Sequence, residues 1–246
     1  MNKNVLITGA SSGLGAALAA EYAAPGVTLF LSGRDEGRLE EAAKAARDKG
    51  AQVFTKAIDV TREAEMREWI MATDRDHPLD LVIANAGISA GTGKGEETAA
   101  QSDAIFETNL KGVLNTSRPA IECMKKRGRG QVALMASLAG FRGAAGAPSY
   151  MASKAAVRVY GEGLRLEMAG QGIKVNVICP GFVKTPMTDV NEFPMPFLMS
   201  AEKAARIMKA GLDKNKARIS FPWVMSFLVW LIATIPASWG DALLAK

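Results

Sequence analysis

Val5-Leu6-Ile7-Thr8-Gly9-Ala10-Ser11-Ser12-Gly13-Leu14-Gly15 runs from a short apolar segment through a glycine-rich turn into an alanine-rich stretch. The order predicts a strand, a tight turn and a helix. Glycines at such a turn let the main chain approach a pyrophosphate closely, and the unpaired N–H groups at the helix start face its negative charge. A glycine-rich turn alone is weak evidence; this one is placed between a strand and a helix near the amino terminus, which predicts a dinucleotide phosphate site.

Further along, short β-rich apolar runs alternate with longer segments rich in Ala, Leu, Glu and Lys. Strands are expected near 4–8, 27–32, 52–58, 80–85, 131–136 and 173–179, with a short seventh near 218–221, and helices between them. The helix near 36–49 carries Leu39, Ala42, Ala43 and Ala46 at amphipathic spacing and should close at Gly50. No repeat, low-complexity tract or linker interrupts the series. Right-handed crossovers then give an α/β fold: one doubly wound Rossmann-type domain over 1–246, with a mainly parallel sheet and helices on both faces.

Composition fits this. The 246 residues are 48% hydrophobic and 22% charged, enough for a large core, and the net charge of +5 is mixed along the chain rather than segregated. The one dense basic run, Lys125-Lys126-Arg127-Gly128-Arg129, reads as a solvated helix end closed by glycine, which argues against nucleic-acid binding. Cys123 and Cys179 are too few for a disulfide framework or zinc site, and His77, the only histidine, precedes Pro78 in an expected loop. No metal site is expected. The start shows no apolar signal region, so a cytoplasmic setting with free thiols is the expectation.

Ser149-Tyr150-Met151-Ala152-Ser153-Lys154 holds the chemistry. On a helix over 149–168, Tyr150 and Lys154 project from one face about one turn apart. A neighbouring ammonium favours the phenolate and moves a group of pKa about 10 toward working range. Taken alone, the spacing is weak evidence, and a packed ring beside a solvated amine is the favoured reading of the pair. Together with Gly9-x-x-x-Gly13-x-Gly15, however, Tyr150-x-x-x-Lys154 resembles the short-chain dehydrogenase/reductase family over nearly the whole chain.

The resemblance implies roles for further residues. Gly9, Ser11, Ser12, Gly13, Leu14 and Gly15 would cradle the cofactor diphosphate. Asp59 and Val60 would border the adenine, and Asn85-Ala86-Gly87 would support the central sheet beside the cofactor. Asn109, in Phe106-Glu107-Thr108-Asn109, would hold a water or distort its helix so that protons pass from Lys154 toward solvent. Ser137 stands thirteen positions before Tyr150, the interval the family leads one to expect. Its hydroxyl would donate to a substrate carbonyl oxygen. Pro180-Gly181 resembles the family's loop at the nicotinamide end, with the Val183 main chain at the carboxamide and Thr185 adding a hydroxyl.

After the second strand comes Ser32-Gly33-Arg34-Asp35. A carboxylate at that strand end suits NAD, whereas a cation pairs with the 2′-phosphate of NADP. Gly33 followed by Arg34 predicts NADP over NAD, although Asp35 stands close by and Arg34-Asp35-Glu36 also fits a solvated loop and helix start.

The expected reaction is hydride transfer between C4 of a nicotinamide and a carbonyl or alcohol carbon. Tyr150 would protonate the developing alkoxide, Ser137 would bond the same oxygen, Lys154 would lower the tyrosine pKa and hold the ribose, and Asn109 would maintain the relay. A non-catalytic dinucleotide sensor and a sugar-nucleotide epimerase are the alternatives; the complete set of four residues argues against the first, and the glycine spacing and chain length against the second.

Two features lie outside this frame. Met187, Phe193, Pro194, Met195, Pro196, Phe197, Leu198 and Met199 fall where a substrate lid is expected, near 185–200. They suit a lipophilic small-molecule substrate or a self-packed loop. Residues 219–240 carry no charge, and Trp223–Ile235 is apolar on every helix face. Pro222 and Pro236 bracket a helix too short to cross a bilayer. A buried terminal helix or subunit contact, in a homodimer or homotetramer, is favoured over peripheral membrane contact.

Overall fold

A computed structural model describes residues 3–89, 97–236 and 239. Part of the segment read as apolar at 219–240, namely 237, 238 and 240, lies outside the described residues, as do the chain ends. The strands are β1 Lys3–Thr8, β2 Val27–Gly33, β3 Gln52–Ala57, β4 Leu81–Ala84, β5 Gly130–Met135, β6 Ile173–Pro180 and β7 Arg218–Phe221. Between and after them run α1 Gly13–Tyr22, α2 Glu36–Arg47, α3 Glu63–Asp76, α4 Ala99–Phe106, α5 Gly112–Arg127, α6 Pro148–Met168, α7 Ala201–Asp213 and α8 Trp223–Thr234. Each expected strand is present, the short seventh included.

The strands form one parallel sheet in the order β3-β2-β1-β4-β5-β6-β7. Its central strands read as unbroken apolar runs because both faces are covered. Along β1, Val5 and Ile7 pack on one side with Leu18, Leu39 and Met208, while Leu6 packs on the other with Met66, Ile70 and Val157. Three layers result, as the alternation predicted. The strand order reverses between β1 and β4, which opens a crevice at their carboxyl ends.

Local sequence accounts for several boundaries. Asp35 caps α2 by accepting the Arg38 N–H at 2.9 Å. The helix ends at Arg47, with Gly50 closing the following turn at φ 87°. Gly128, left-handed at φ 66°, caps α5 as expected. The basic run before it is only partly solvated, because Arg127 donates to Asp74 Oδ2 and the Leu79 carbonyl, both at 2.6 Å, and so ties α5 to the end of α3. His77 packs against Phe30 and Phe54, with ring centroids 5.4 and 5.5 Å away. No cluster of metal-binding side chains occurs among the described residues.

The expectation of a buried terminal helix is corrected. No residue of α8 is buried, and Trp223 is 78% exposed. The helix follows the edge strand and is held to the body by Met225, which packs on the core beside Gly181, and by Arg142, which donates to the Ile232 and Ile235 carbonyls at 3.4 and 3.2 Å, while its outer face has no layer to cover it. No described helix is long and apolar enough to cross a membrane.

Candidate active site

The floor of the crevice is stitched across the reversal in strand order. Thr8 Oγ1, at the end of β1, accepts the N–H groups of Asn85 (3.1 Å) and Ala86 (3.2 Å) just beyond β4. Asn85 returns its amide to the carbonyls of Thr8 and Gly9 at 2.9 and 3.2 Å. Gly9 adopts φ 66°, where a side chain is strained. A methyl on Gly15 would overlap the Gly9 oxygen and stand 2.7 Å from Asn85 Nδ2, so only glycine lets α1 start this close to the turn. The α1 N-cap, Ser12, makes no side-chain cap hydrogen bond. The first N–H groups of the helix therefore face the crevice without a side-chain cap, a cradle that fits a diphosphate.

At the end of β2, a methyl on Gly33 would meet Ser11 Oγ at 2.9 Å, so the serine of the glycine turn fills the place of a side chain there. Arg34 follows, 66% exposed and 3.9 Å from Asp59 Oδ2, a pair loose enough to contribute little by itself. Asp35 is engaged elsewhere. Its two oxygens accept from Arg38 N at 2.9 Å and Arg38 Nε at 2.7 Å, and the main-chain bond, then the guanidinium bond, hold its carboxyl below the ordinary carboxylate range. Arg38 also lines the crevice. Sequence reading missed it, although its position three residues after the cap Asp35 was visible.

The candidate reactive side chains meet at the crevice's inner end. α4 passes into a π turn over Glu107–Lys111, so the helix is locally distorted at Asn109. Asn109 is fully buried: its Oδ1 accepts the Ile88 N–H at 2.7 Å, and its Nδ2 donates to the Ile88 carbonyl at 2.9 Å and to Ser153 Oγ at 3.2 Å. A methyl on Gly87 would stand 3.1 Å from Asn109 Oδ1 and 3.3 Å from Lys154 Nζ. Glycine thus allows the asparagine, the lysine and the main chain after β4 to converge.

Tyr150 and Lys154 share one face of α6, with the ammonium 5.7 Å from the ring centroid. Lys154 is 4% exposed and donates to the Met135 carbonyl at 3.0 Å. Burial lowers its pKa to about 8. For Tyr150 the expected downward push from Lys154 is not what dominates: desolvation raises the phenol, and the hydrogen bond with Ser137 pulls it back. The ring keeps some surface on the crevice, so this upward direction reflects the apolar surroundings more than complete loss of solvent. Ser137 follows β5 and starts a short 3-10 turn, its Oγ accepting the Ala139 N–H at 3.1 Å.

At the end of β6, Pro180 and Gly181 form the opposite wall. Val183 bridges Met199 in parallel, which closes the base of the 184–199 segment. Thr188 Oγ1 donates to the Val183 carbonyl at 2.7 Å and accepts the Thr185 N–H at 3.0 Å. A methyl on Gly13 would touch Thr185 Cγ2 at 3.2 Å, so this segment arches back over the glycine turn.

One cleft of about 470 Å³ is lined by Gly9, Ser11, Ser12, Gly13, Leu14, Gly15, Arg34, Asp59, Val60, Asn85, Ala86, Gly87, Ser137, Tyr150, Lys154, Pro180, Gly181, Val183 and Thr185. Asn109 alone of the expected residues stands behind the wall rather than on it. The structure adds Gly33, Arg38, Ile88, Met135, Met187 and Thr188 to the lining. Most are apolar or main-chain contacts that no motif marks.

A parallel sheet in this order, a glycine cradle at its switch point and a tyrosine–lysine pair facing the same cleft define a Rossmann-type oxidoreductase. The family profile described as short chain dehydrogenase matches residues 3–193, and the chain belongs to the short-chain dehydrogenase/reductase family of NAD(P)-dependent enzymes. An uncharacterized oxidoreductase from Myxococcus xanthus is 38% identical over 241 residues, 98% of this chain and 95% of its own length. The crystal structure of levodione reductase superposes with a TM-score of 0.84 at 28% identity, covering 92% of this chain and 98% of that one. A short-chain dehydrogenase from Sphingobium yanoikuyae in complex with NADPH has a TM-score of 0.82 at 28% identity, covering 98% and 92%.

Proposed function

We propose that this oxidoreductase uses NADP to transfer a hydride between nicotinamide and a small, lipophilic carbonyl or alcohol, with Tyr150 as general acid and base. The observation that carries the reading is the convergence of Ser137, Tyr150 and Lys154 on the inner end of a cleft whose outer end is a diphosphate cradle. The cofactor, held along Gly9–Gly15, Asp59-Val60, Asn85–Gly87 and the Pro180–Thr185 wall, supplies the hydride when reduced.

The chain's own groups do the rest. Ser137 Oγ orients the substrate oxygen by donating to it, and the Tyr150 hydroxyl gives that oxygen a proton in reduction or removes one in oxidation. A phenol raised by its apolar surroundings holds its proton at neutral pH, which suits the donor role. Lys154 places a cation beneath the ring and within reach of ribose hydroxyls. Asn109 fixes the main chain at Ile88 and the hydroxyl of Ser153, which keeps the proton route behind Lys154 in place.

NADP preference rests on charge. Arg34 and Arg38 both border the adenosine end; of the two carboxylates there, Asp35 is already taken by Arg38 and Asp59 stands 3.9 Å from Arg34. A 2′-phosphate would find two guanidinium groups there. A single-domain reading of the chain is supported by the one sheet of the described residues, whose carboxyl ends bear both the glycine turn after β1 and Ser137 after β5. A cytoplasmic setting is in keeping with two buried free cysteines. Exposed Met187 on the cleft wall, with exposed Phe193, Phe197 and Leu198 further along the same segment, favours a lipophilic substrate. The bare face of α8 favours a subunit contact in a homodimer or homotetramer, with peripheral membrane contact as the other reading.

The decisive experiment is Tyr150→Phe assayed by nicotinamide absorbance across a panel of carbonyls and alcohols. Turnover should fall by on the order of 10²–10⁴-fold while NADPH binding stays within about threefold. Near-normal oxidation of NADPH by the variant sinks the assignment.

A further inference from the structure

The helix that carries Tyr150 begins without a cap of its own. Ala147 occupies the N-cap position and has no side-chain cap hydrogen bond, and Pro148 follows in the first turn. The first free donor, the Ser149 N–H, is met from 52 residues away in the chain: Glu97 Oε2 accepts it at 3.0 Å. A carboxylate there also complements the positive end of the helix dipole. Ser149 Oγ lies 2.7 Å from Ser102 Oγ, a second polar link to the same partner segment. Glu97 is itself held, since a Thr98–Gln101 capping box starts α4 immediately after it.

The α4 helix and its π turn therefore grip α6 at two levels. Glu97 and Ser102 hold Ser149, and Asn109 Nδ2 holds Ser153 Oγ at 3.2 Å. Tyr150 lies between the two levels. Glu97 Oε1 is shielded from solvent and has no hydrogen-bond partner among the described residues. Leaving a carboxylate oxygen in that state is unfavourable. Simple helix capping does not call for it, because a serine or asparagine would cap as well without the cost.

We propose that Glu97 is a positioning residue: by clamping the first turn of α6 from outside the cleft, with Ser102 as a second pin, it fixes the Tyr150 hydroxyl at the place where a substrate oxygen arrives. The claim rests on the proposed role of Tyr150. A clamp of this kind changes the chemical step and leaves the cofactor cradle, at the far end of the cleft, untouched.

The test compares wild type with Glu97→Ala, Glu97→Gln and Ser102→Ala in the full chain. Turnover with a carbonyl probe, NADPH dissociation constant and amide hydrogen exchange over 149–154 are measured on each protein. Glu97→Ala should lower kcat at least about tenfold, with the NADPH constant within about twofold and exchange at 149–154 faster. Glu97→Gln, which keeps an acceptor oxygen for the Ser149 N–H, should restore most of both. Ser102→Ala should give a smaller loss of the same kind, and it stands in for Glu97→Ala if that variant does not fold. Unchanged kcat in the alanine variants, or a loss that glutamine does not rescue, overturns the clamp. If wild type turns over no probe, the reading of Tyr150 fails, and the exchange data still decide whether Glu97 holds the helix: unchanged protection at 149–154 overturns it.

Discussion

The two ends of the cleft are built from opposite materials. At the β1, β2 and β4 end, nearly every contact involves main chain: Thr8 accepts two N–H groups, Asn85 donates to two carbonyls, and Gly15 sits where no side chain fits. At the mouth, the 184–199 segment is tied at its base by the Val183–Met199 bridge and along its length mainly by side chains, Thr188 Oγ1 on Val183 and Phe193 against Phe182, and α8 buries none of its residues. Main-chain sites tolerate almost no change, because moving one group breaks several bonds. Side-chain surfaces tolerate much. The first end therefore leaves little room for substitution, and the mouth leaves much.

The contrast is most exposed to failure at Gly15. Gly15→Val would drive side-chain carbons into the Gly9 oxygen, which already leaves no room for a single methyl. NADPH binding should fall by at least about 100-fold, or the protein should fail to fold, read by fluorescence titration and thermal melting. Tight binding by a folded variant would show that the cradle is more pliable than its geometry implies.

The next effect refines the cofactor end. Replacing Arg34 and Arg38 together by alanine removes both guanidinium groups facing the adenosine rim, and the ratio of NADH to NADPH dissociation constants should fall by about tenfold or more, at roughly 1.4 kcal/mol per factor of ten. An unchanged ratio would mean that the preference resides elsewhere.

Lys154 joins the two ends, and its titration gives a test in the cofactor-free protein. Burial lowers its pKa from 10.5 to about 8, so between those values the unfolded chain holds a proton that the folded one has released. Stability linked to this group should then rise with pH from about 8 toward 10.5, by at most about 1.4 kcal/mol per pH unit. Denaturant melts of wild type and Lys154→Met across that range would show the rise in wild type alone; parallel curves would place the ammonium in a more solvated state.

The smallest effect on chemistry belongs to the mouth. Phe227→Glu with Trp230→Glu puts charge on the exposed stripe of α8, where those side chains are 54% and 49% exposed. Oligomer mass should drop, with NADPH affinity within about twofold and no difference in liposome binding. Loss of liposome binding at unchanged mass would instead assign the face to a membrane.

Much of this was legible in the chain. Alternating strand and helix patterns set the α/β class because a sheet covered on both faces must read as apolar runs. Glycine spacing marked the cradle, since only glycine allows the turn. The tyrosine–lysine pair was visible because helical periodicity puts residues four apart on one face. Arg38 escaped notice because its role depends on a bond to Asp35 that a solvated helix start would also permit. The fate of α8 was hidden for a different reason: an apolar helix looks the same in sequence whether it is buried or bare.

Local spacing along the chain was thus enough to specify the strands and helices and the glycine turn, while the candidate reactive residues stood out only through their resemblance to a family pattern. Packing had to add that Asp35 is occupied by Arg38, that desolvation outweighs the Ser137 hydrogen bond at the Tyr150 phenol, and that Glu97 reaches the start of α6 from 52 residues away. Each of these is a competition between neighbouring partners, between solvation and hydrogen bonding, or between groups distant in the chain. Such competitions are settled only when the folded surroundings set the dielectric and the distances.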